Sequence, residues 1–235
     1  MSKKPFRFKQ FEILQDKTAM KVGTDGVLLG AWANLYKGKK ILDVGTGTGL
    51  ISLMLAQRFT DTDIDAVEID HEAYLQAKSN FENSTFSSQL SIYESSFQDY
   101  SAKRKYDLIV SNPPFFTVNN LVDFDQRKQA RQQETLNFDD LIHKTASLLN
   151  ETGSACFIIP YDQCVIFTEI ASKNKLKLNK TLYIKGNNTS PIKRVLLEFS
   201  FQERETIEET LIIEEERHQY TQNYIELTKD FYLKM

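Results

Sequence analysis

Asn112-Pro113-Pro114-Phe115 is the run whose residue types bear most directly on chemistry. It follows Tyr106-Asp107-Leu108-Ile109-Val110-Ser111, a largely apolar stretch that reads as a buried strand. An asparagine, two prolines and an aromatic at the end of a strand suit the grip of a planar amino group. The amide oxygen and a backbone carbonyl can both accept hydrogen bonds from NH2. The prolines fix φ and remove two donors, so the turn is stiff and its carbonyls stay free. Phe115 adds a face on which a flat ring can stack. The same four residues also make a plain strand ending, and the rest of the chain has to decide between the two readings.

Asp43-Val44-Gly45-Thr46-Gly47-Thr48-Gly49 is the second such feature. It follows Lys40-Ile41-Leu42 and leads into Leu50-Ile51-Ser52-Leu53-Met54-Leu55-Ala56, which reads as a buried helix. Seven of the nine glycines fall within residues 23–49, where backbone is expected to approach a ligand or take positive φ. Strand, glycine loop and helix in that order form a cofactor cradle. A dinucleotide fingerprint is G-x-G-x-x-G/A. Here the spacing is G-x-G-x-G, and Leu50 stands where that fingerprint ends. Asp43 opposes a pyrophosphate and suits a cationic amino-acid moiety. S-adenosylmethionine (AdoMet) carries an ammonium, a sulfonium and no phosphate. A further strand, Ile64-Asp65-Ala66-Val67-Glu68-Ile69-Asp70, ends in acid. Glu68 is spaced from the loop so that it can accept from ribose hydroxyls, or else it is a solvated strand-end charge.

In this order, the DVGTGTG loop, the acid of AVEID and the NPPF turn resemble class I AdoMet-dependent methyltransferases that act on amino groups. Further residues are similar to the bacterial tRNA-valine adenine-N6 methyltransferases. They are AMKVGTDGVLLGAW at residues 19–32, the start Phe6-Arg7-Phe8-Lys9-Gln10-Phe11, the strand Arg194-Val195-Leu196-Leu197 and the terminal Phe231-Tyr232-Leu233. The similarity spans nearly the whole chain, with its most specific motifs in the first half. It implies an α/β, Rossmann-like class I fold: a mostly parallel seven-stranded sheet with helices on both faces and an N-terminal extension over residues 1–36. It also implies methyl transfer from AdoMet to N6 of the adenosine just 3′ of the anticodon in a valine tRNA. On this resemblance Asn112, Pro113, Pro114 and Phe115 carry the chemistry. AdoMet is expected on Lys21, Gly23, Thr24, Asp43, Gly45, Gly47, Gly49 and Glu68, together with Asn112. Ser96 stands where the family often places a polar group toward the adenine, with Phe97 packed beside it.

Alternating patterns must position these residues. Strands are expected at 39–45, 63–69, 89–94, 106–111, 153–160, 179–185 and 194–201, and helices at 24–36, 49–58, 71–83, 138–150, 163–174 and 220–233. Such alternation argues for a parallel sheet covered on both faces. In the last strand Val195, Leu197, Phe199 and Phe201 share one face, which fits an antiparallel member near a sheet edge. Ligands are then expected at the strands' C-terminal ends, where both motifs lie. At 235 residues the chain suits a single domain, 1–235. Residues 117–137 form the longest polar stretch, and loops of that length are usually functional or disordered.

A net charge of −3 does not announce a nucleic-acid binder, so the distribution of charge carries the argument. Residues 1–40 hold nine Lys/Arg against three acids, a balance of +6, and residues 203–217 hold seven Glu against two Arg, a balance of −5. Lys9 and the cluster Arg127, Lys128 and Arg131 past the NPPF turn are expected against the anticodon loop of tRNA. Phe6, Phe8 and Phe11 are either base platforms or the core of an N-terminal hairpin. Trp32 and Tyr36 read as packing residues on a helix, and Tyr220, Tyr224, Phe231 and Tyr232 as a docking face. No apolar stretch approaches 18 residues, and MSKKPFRFKQ lacks the apolar core of a secretory signal. Cys156 and Cys164 read as buried free thiols of a cytoplasmic protein. With three scattered histidines no metal site is expected. Nothing calls for an obligate protein partner or a membrane. A ribosomal RNA base or a protein glutamine stays open as the amino acceptor. A dinucleotide oxidoreductase is disfavoured by Leu50, and a non-catalytic RNA-binding module by the intact motifs.

Overall fold

The glycine loop and the NPP turn end neighbouring strands. The computed structural model describes residues 4–18, 21–114 and 137–234. Its main sheet is built from β3 (Lys40–Val44), β4 (Asp63–Glu68), β5 (Leu90–Glu94), β6 (Tyr106–Ser111), β7 (Leu149–Pro160), β8 (Lys177–Lys185), β9 (Ile192–Ser200) and β10 (Ile207–Ile212). Their spatial order is β10-β8-β9-β7-β6-β3-β4-β5. From β3 the chain winds outward to β4 and β5, then returns to the other side of β3 as β6. The winding reverses between β3 and β6, and a crevice opens there at the strands' C-terminal ends.

The sheet has eight strands rather than the expected seven. The addition is β10, parallel to β8 at the edge and drawn from the Glu-rich run. Of its residues only Leu211 is buried, while Glu208 and Glu209 are exposed. The acids therefore hide its strand pattern. As expected, β9 is antiparallel, to both β7 and β8. It lies third from the edge, however, because β8 and β10 flank it.

Helices cover both faces. α1 (Thr24–Trp32) and α2 (Leu50–Arg58) pack on one face, where Leu28, Leu29, Ile51 and Leu55 meet Ile41, Leu108 and Ile158. α4 (Phe138–Leu148) and α5 (Cys164–Lys173) pack on the other, where Leu141, Ile142, Phe167 and Ile170 meet Leu42, Ile109 and Phe157. α3 (His71–Glu82) links β4 to β5, and its first turn is capped by Asp70 Oδ1, which accepts from Ala73 N–H at 2.8 Å. α1 ends at Trp32, earlier than expected, so Tyr36 lies beyond the helix and is exposed, with its hydroxyl on Glu198 at 3.0 Å. Trp32 does pack against the core beneath α1.

The N-terminal strands β1 (Phe6–Arg7) and β2 (Glu12–Ile13) form a small antiparallel hairpin. Phe8 and Phe11 are buried and stacked, with ring centroids 4.7 Å apart, and Phe8 also stacks on Tyr232. These two aromatics are hairpin core and offer no base platform. β11 (Glu214–Glu216) and β12 (Gln219–Tyr220) make a second small ribbon before α6 (Gln222–Thr228), which is much shorter than the expected 220–233 helix. Tyr224 and Phe231 are buried by this docking, whereas Tyr220 is exposed. Cys156 is buried, but Cys164 is only half-buried at the start of α5. Among the described residues, no helix is long and apolar enough to cross a membrane, and no His/Cys/Asp/Glu group is arranged to hold a metal.

Candidate active site

A cavity of about 480 Å³ lies at the C-terminal ends of β3, β4 and β6. Its floor is the glycine loop. Gly47 and Gly49 take φ of 58° and 82°, in the left-handed region that costs other residues energy. Gly45 and Gly47 line the cavity, and a Cβ added to either would meet nothing within 4 Å on the protein side. Gly49 faces inward instead: a Cβ there would lie 2.4 Å from Cε1 of Phe81. The first turn of the loop is tied to the neighbouring strand, with Gly45 N–H and Thr46 N–H both donating to the Val67 carbonyl.

Asp43 does not line this cavity. It is fully buried, and its Oδ2 accepts from Thr46 Oγ at 2.6 Å, from Ser52 Oγ at 2.7 Å and from Ser52 N–H at 3.2 Å. It thereby holds the loop to the start of α2, which differs from the expected place against the cofactor's cation. Its Oδ1 has no partner among the described residues. Burial pushes its pKa up to about 6, against the opposing effect of the hydroxyl and amide donors, and nearby Glu68 adds to the rise.

Glu68 ends β4 and does line the cavity. Its Oε2 accepts from Gly47 N–H at 2.8 Å, and its Oε1 from the N–H groups of Ile69 and Asp70, both at 2.9 Å. The carboxylate thus braces the glycine loop while keeping one acceptor site, on Oε2, for a ligand. Ile69 beside it is an apolar side chain 54% exposed, facing the same cavity. Sequence reasoning passed over it. The available signal was an apolar residue between two acids at a strand end.

Ser96 and Phe97 follow β5 and line the far side. The Ser96 hydroxyl donates to Asp99 at 2.6 Å and accepts from Asp99 N–H at 3.1 Å, so it is committed to a local turn. Phe97 is buried and shared with the core. Asn112 and Pro114 complete the rim above β6. Ser111 Oγ donates to the Val44 carbonyl at 2.8 Å, which locks the end of β6 to the strand that enters the glycine loop. Asn112 Oδ1 is buried and has no hydrogen-bond partner among the described residues. A buried acceptor without a donor is costly unless a ligand supplies one. Pro113 is buried behind it.

The remaining predicted residues are placed elsewhere. Lys21, Gly23 and Thr24 are exposed near the start of α1 and do not line the cavity; Lys17 and Thr18 do. Lys9 Nζ donates to the Lys229 carbonyl at 2.6 Å, beside a separate depression between the hairpin and α3. Phe115, Arg127, Lys128 and Arg131 lie outside the described residues. Three of the nine basic residues in segment 1–40 are paired internally: Arg7 with Glu12 at 2.9 Å, Lys39 with Asp61 and Lys40 with Asp63. The last two pairs sit where β3 begins, at the end of the sheet opposite the cavity.

The residues present fit AdoMet. The cavity's size falls in the range for small-molecule sites. Its acids, Glu68, Asp70 and Glu72, repel phosphate and suit a cationic ligand. The open side of Gly45 and Gly47 leaves room against the backbone.

Comparison with known proteins agrees. Residues 19–165 match the model of the methyltransferase small domain. The chain is 48% identical, over all of both chains, to a Christiangramia forsetii protein named tRNA1(Val) (adenine(37)-N6)-methyltransferase. It is 46% identical to a Trichodesmium erythraeum protein of the same name, over 97% of this chain and 98% of that one. A predicted O-methyltransferase from Agrobacterium tumefaciens shares the fold, with a TM-score of 0.68 at 17% identity over 88% of this chain and 96% of the other. The glycine loop, its bracing acid and the NPP turn thus stand in a chain that belongs to the methyltransferase small domain family and, over its whole length, to the group of relatives carrying that tRNA methyltransferase name.

Proposed function

We propose that this protein transfers the methyl group of AdoMet to N6 of adenosine 37, just 3′ of the anticodon, in a valine tRNA. The observation that carries the chemistry is the buried Oδ1 of Asn112 at the rim of the cavity, which has no hydrogen-bond partner among the described residues. Full-length relatives at 48% and 46% identity support the choice of substrate.

Gly45 and Gly47 leave the floor open, Glu68 would accept from the ribose of AdoMet, and Ile69 and Phe97 would give its adenine an apolar wall. Bound there, AdoMet supplies a methyl carbon activated by a sulfonium, with a neutral thioether as leaving group. The target adenosine unstacks from its loop, which costs least where it is unpaired. Its amino nitrogen is a poor nucleophile because the lone pair is delocalised into the ring. The Asn112 oxygen and the Pro113 carbonyl accept from its two N–H groups and draw the nitrogen toward tetrahedral geometry. The lone pair is then free to form the N–C bond, and the extra proton passes to water. Fixing this alignment converts an encounter into an intramolecular reaction. Phe115, Arg127, Lys128 and Arg131, which lie outside the described residues, are the contacts we propose for the anticodon loop. The protein works as one methyltransferase domain in the cytoplasm, where its two free thiols stay reduced.

Incubation with methyl-labelled AdoMet and total RNA, followed by nucleoside mapping, tests the proposal. Label in N6-methyladenosine at position 37 of a valine tRNA is expected. Label confined to protein or to ribosomal RNA overturns the substrate assignment.

A further inference from the structure

Residues 14–18 reach the wall of the AdoMet cavity, and two buried amides of α3 hold them there. Asn80 Oδ1 accepts from Leu14 N–H at 3.0 Å, and Asn80 Nδ2 donates to the Leu14 carbonyl at 2.9 Å. The same Nδ2 donates to the carbonyl of Thr48, inside the glycine loop, at 2.8 Å. One helical turn earlier, Gln76 Oε1 accepts from Lys17 N–H at 3.2 Å. Both amides are only 3% exposed, among Ala73, Ala77 and Phe81. Apolar side chains usually fill such positions, and polar ones are kept where their atoms find partners. One asparagine therefore fixes the N-terminal segment and the glycine loop relative to each other, and this delivers Lys17 to the cavity.

Lys17 is the only lysine, arginine or histidine among the described residues that line the cavity. The other charged groups there are carboxylates: Glu68, Asp70 and Glu72. AdoMet has one anionic group, the carboxylate of its amino-acid end. Among the described residues of the cavity, whose remaining charges are negative, that carboxylate is attracted to a single side chain. Asp43 offers it nothing, being buried beneath the loop.

We propose that Lys17 is the subsite for the carboxylate of AdoMet, and that Asn80 and Gln76 are positioning residues that hold it against the glycine loop. The proposal rests on the AdoMet reading and deepens it. The N-terminal segment becomes part of the cofactor site rather than an arm for RNA.

Calorimetric titration with S-adenosylhomocysteine and with 5′-methylthioadenosine, which lacks the amino-acid end, tests this. A charged hydrogen bond corresponds to about 10- to 100-fold in affinity. Lys17→Met is expected to weaken S-adenosylhomocysteine by about tenfold or more and to leave 5′-methylthioadenosine unchanged, and Lys17→Arg is expected to restore most of the loss. Gln76→Leu, which keeps the charge but removes the acceptor for Lys17 N–H, is expected to give a smaller loss on the same ligand. Equal losses on both ligands, or no loss on either, with the parent protein binding both, overturn the subsite alone. A parent that binds neither overturns the cofactor reading and the subsite together.

Discussion

Gly47→Ala and Gly49→Ala are expected to fail in opposite ways, although both place a methyl group at positive φ. The backbone cost is shared, about 1–2 kcal/mol for holding an L-residue in the left-handed region. At Gly47, φ is 58° and the new Cβ meets no protein atom within 4 Å, so the loss of stability stops there. That methyl group projects where Gly47 lines the cavity, and AdoMet affinity is expected to fall by about tenfold or more, one hydrogen-bond equivalent of binding energy. At Gly49, φ is 82° and the Cβ would lie 2.4 Å from Phe81 Cε1. Phe81 is only 3% exposed and has no room to retreat. Overpacking of this kind adds about 1–3 kcal/mol, for a total of about 2–5 kcal/mol. Urea unfolding with unchanged slope measures the stability, and calorimetry measures AdoMet binding. In a Phe81→Leu background, where the ring edge is gone, the extra penalty at Gly49 is expected to shrink. If Gly49→Ala proves no less stable than Gly47→Ala, the close approach of α3 to the loop is wrong. If Gly47→Ala binds AdoMet as the parent does, the loop is not the cofactor's floor.

Three further outcomes are expected. Asn112→Ala should slow methyl transfer to an anticodon stem-loop by a barrier increase of about 2–4 kcal/mol, with little change in AdoMet affinity; a parent-like single-turnover rate would make the NPP turn purely structural. Burial raises the Asp43 pKa from its ordinary 3.8 to about 6, so between these values the folded state holds a proton that the unfolded chain has lost. Its ionisation therefore removes stability as pH rises from about 4 to about 6, by about 2–3 kcal/mol, relative to the non-titrating Asp43→Asn protein; parallel stability curves for the two proteins would contradict the buried carboxylate. Replacing Arg127 and Arg131 by Ala together should flatten the salt dependence of tRNA binding by about one unit per lost phosphate contact, and an unchanged slope would place both arginines off the backbone.

The parts of the site that were legible in the sequence are those where geometry restricts residue type. Positive φ at Gly47 and Gly49 favours glycine, and Asn112 and Pro114 stand at the cavity rim where the end of β6 puts them. Glu68 was found by its distance from the loop, although its three backbone N–H donors were not. Asp43 was misplaced because an acid before a glycine loop reads the same whether it faces a ligand or the helix behind. Only folding reveals that Thr46 and Ser52 converge on it. Lys17 was invisible for a different reason: its place depends on Gln76 and Asn80, about 60 residues away in sequence. The sheet was legible except for β10, whose exposed acids mask a strand with one buried residue. Gly26 and Gly30 also counted toward a ligand-binding cluster, yet their nearest neighbours are Leu50 and Met54, where α1 packs closely on α2.

The edge made by β10 bears on how a polyanion arrives. It borders the sheet on the side away from β4 and β5, and Glu208 and Glu209 stand exposed on it, with Glu214, Glu215 and Glu216 just beyond. At physiological ionic strength charges are felt over about 8 Å, a distance that spans the last layers of water between two colliding molecules. Lys180 pairs with Glu209 at 3.0 Å, and the acids left over are expected to repel a tRNA that meets this border. The strand that looked least like part of the fold thus acts as a rudder for association, narrowing the directions of approach without touching the substrate.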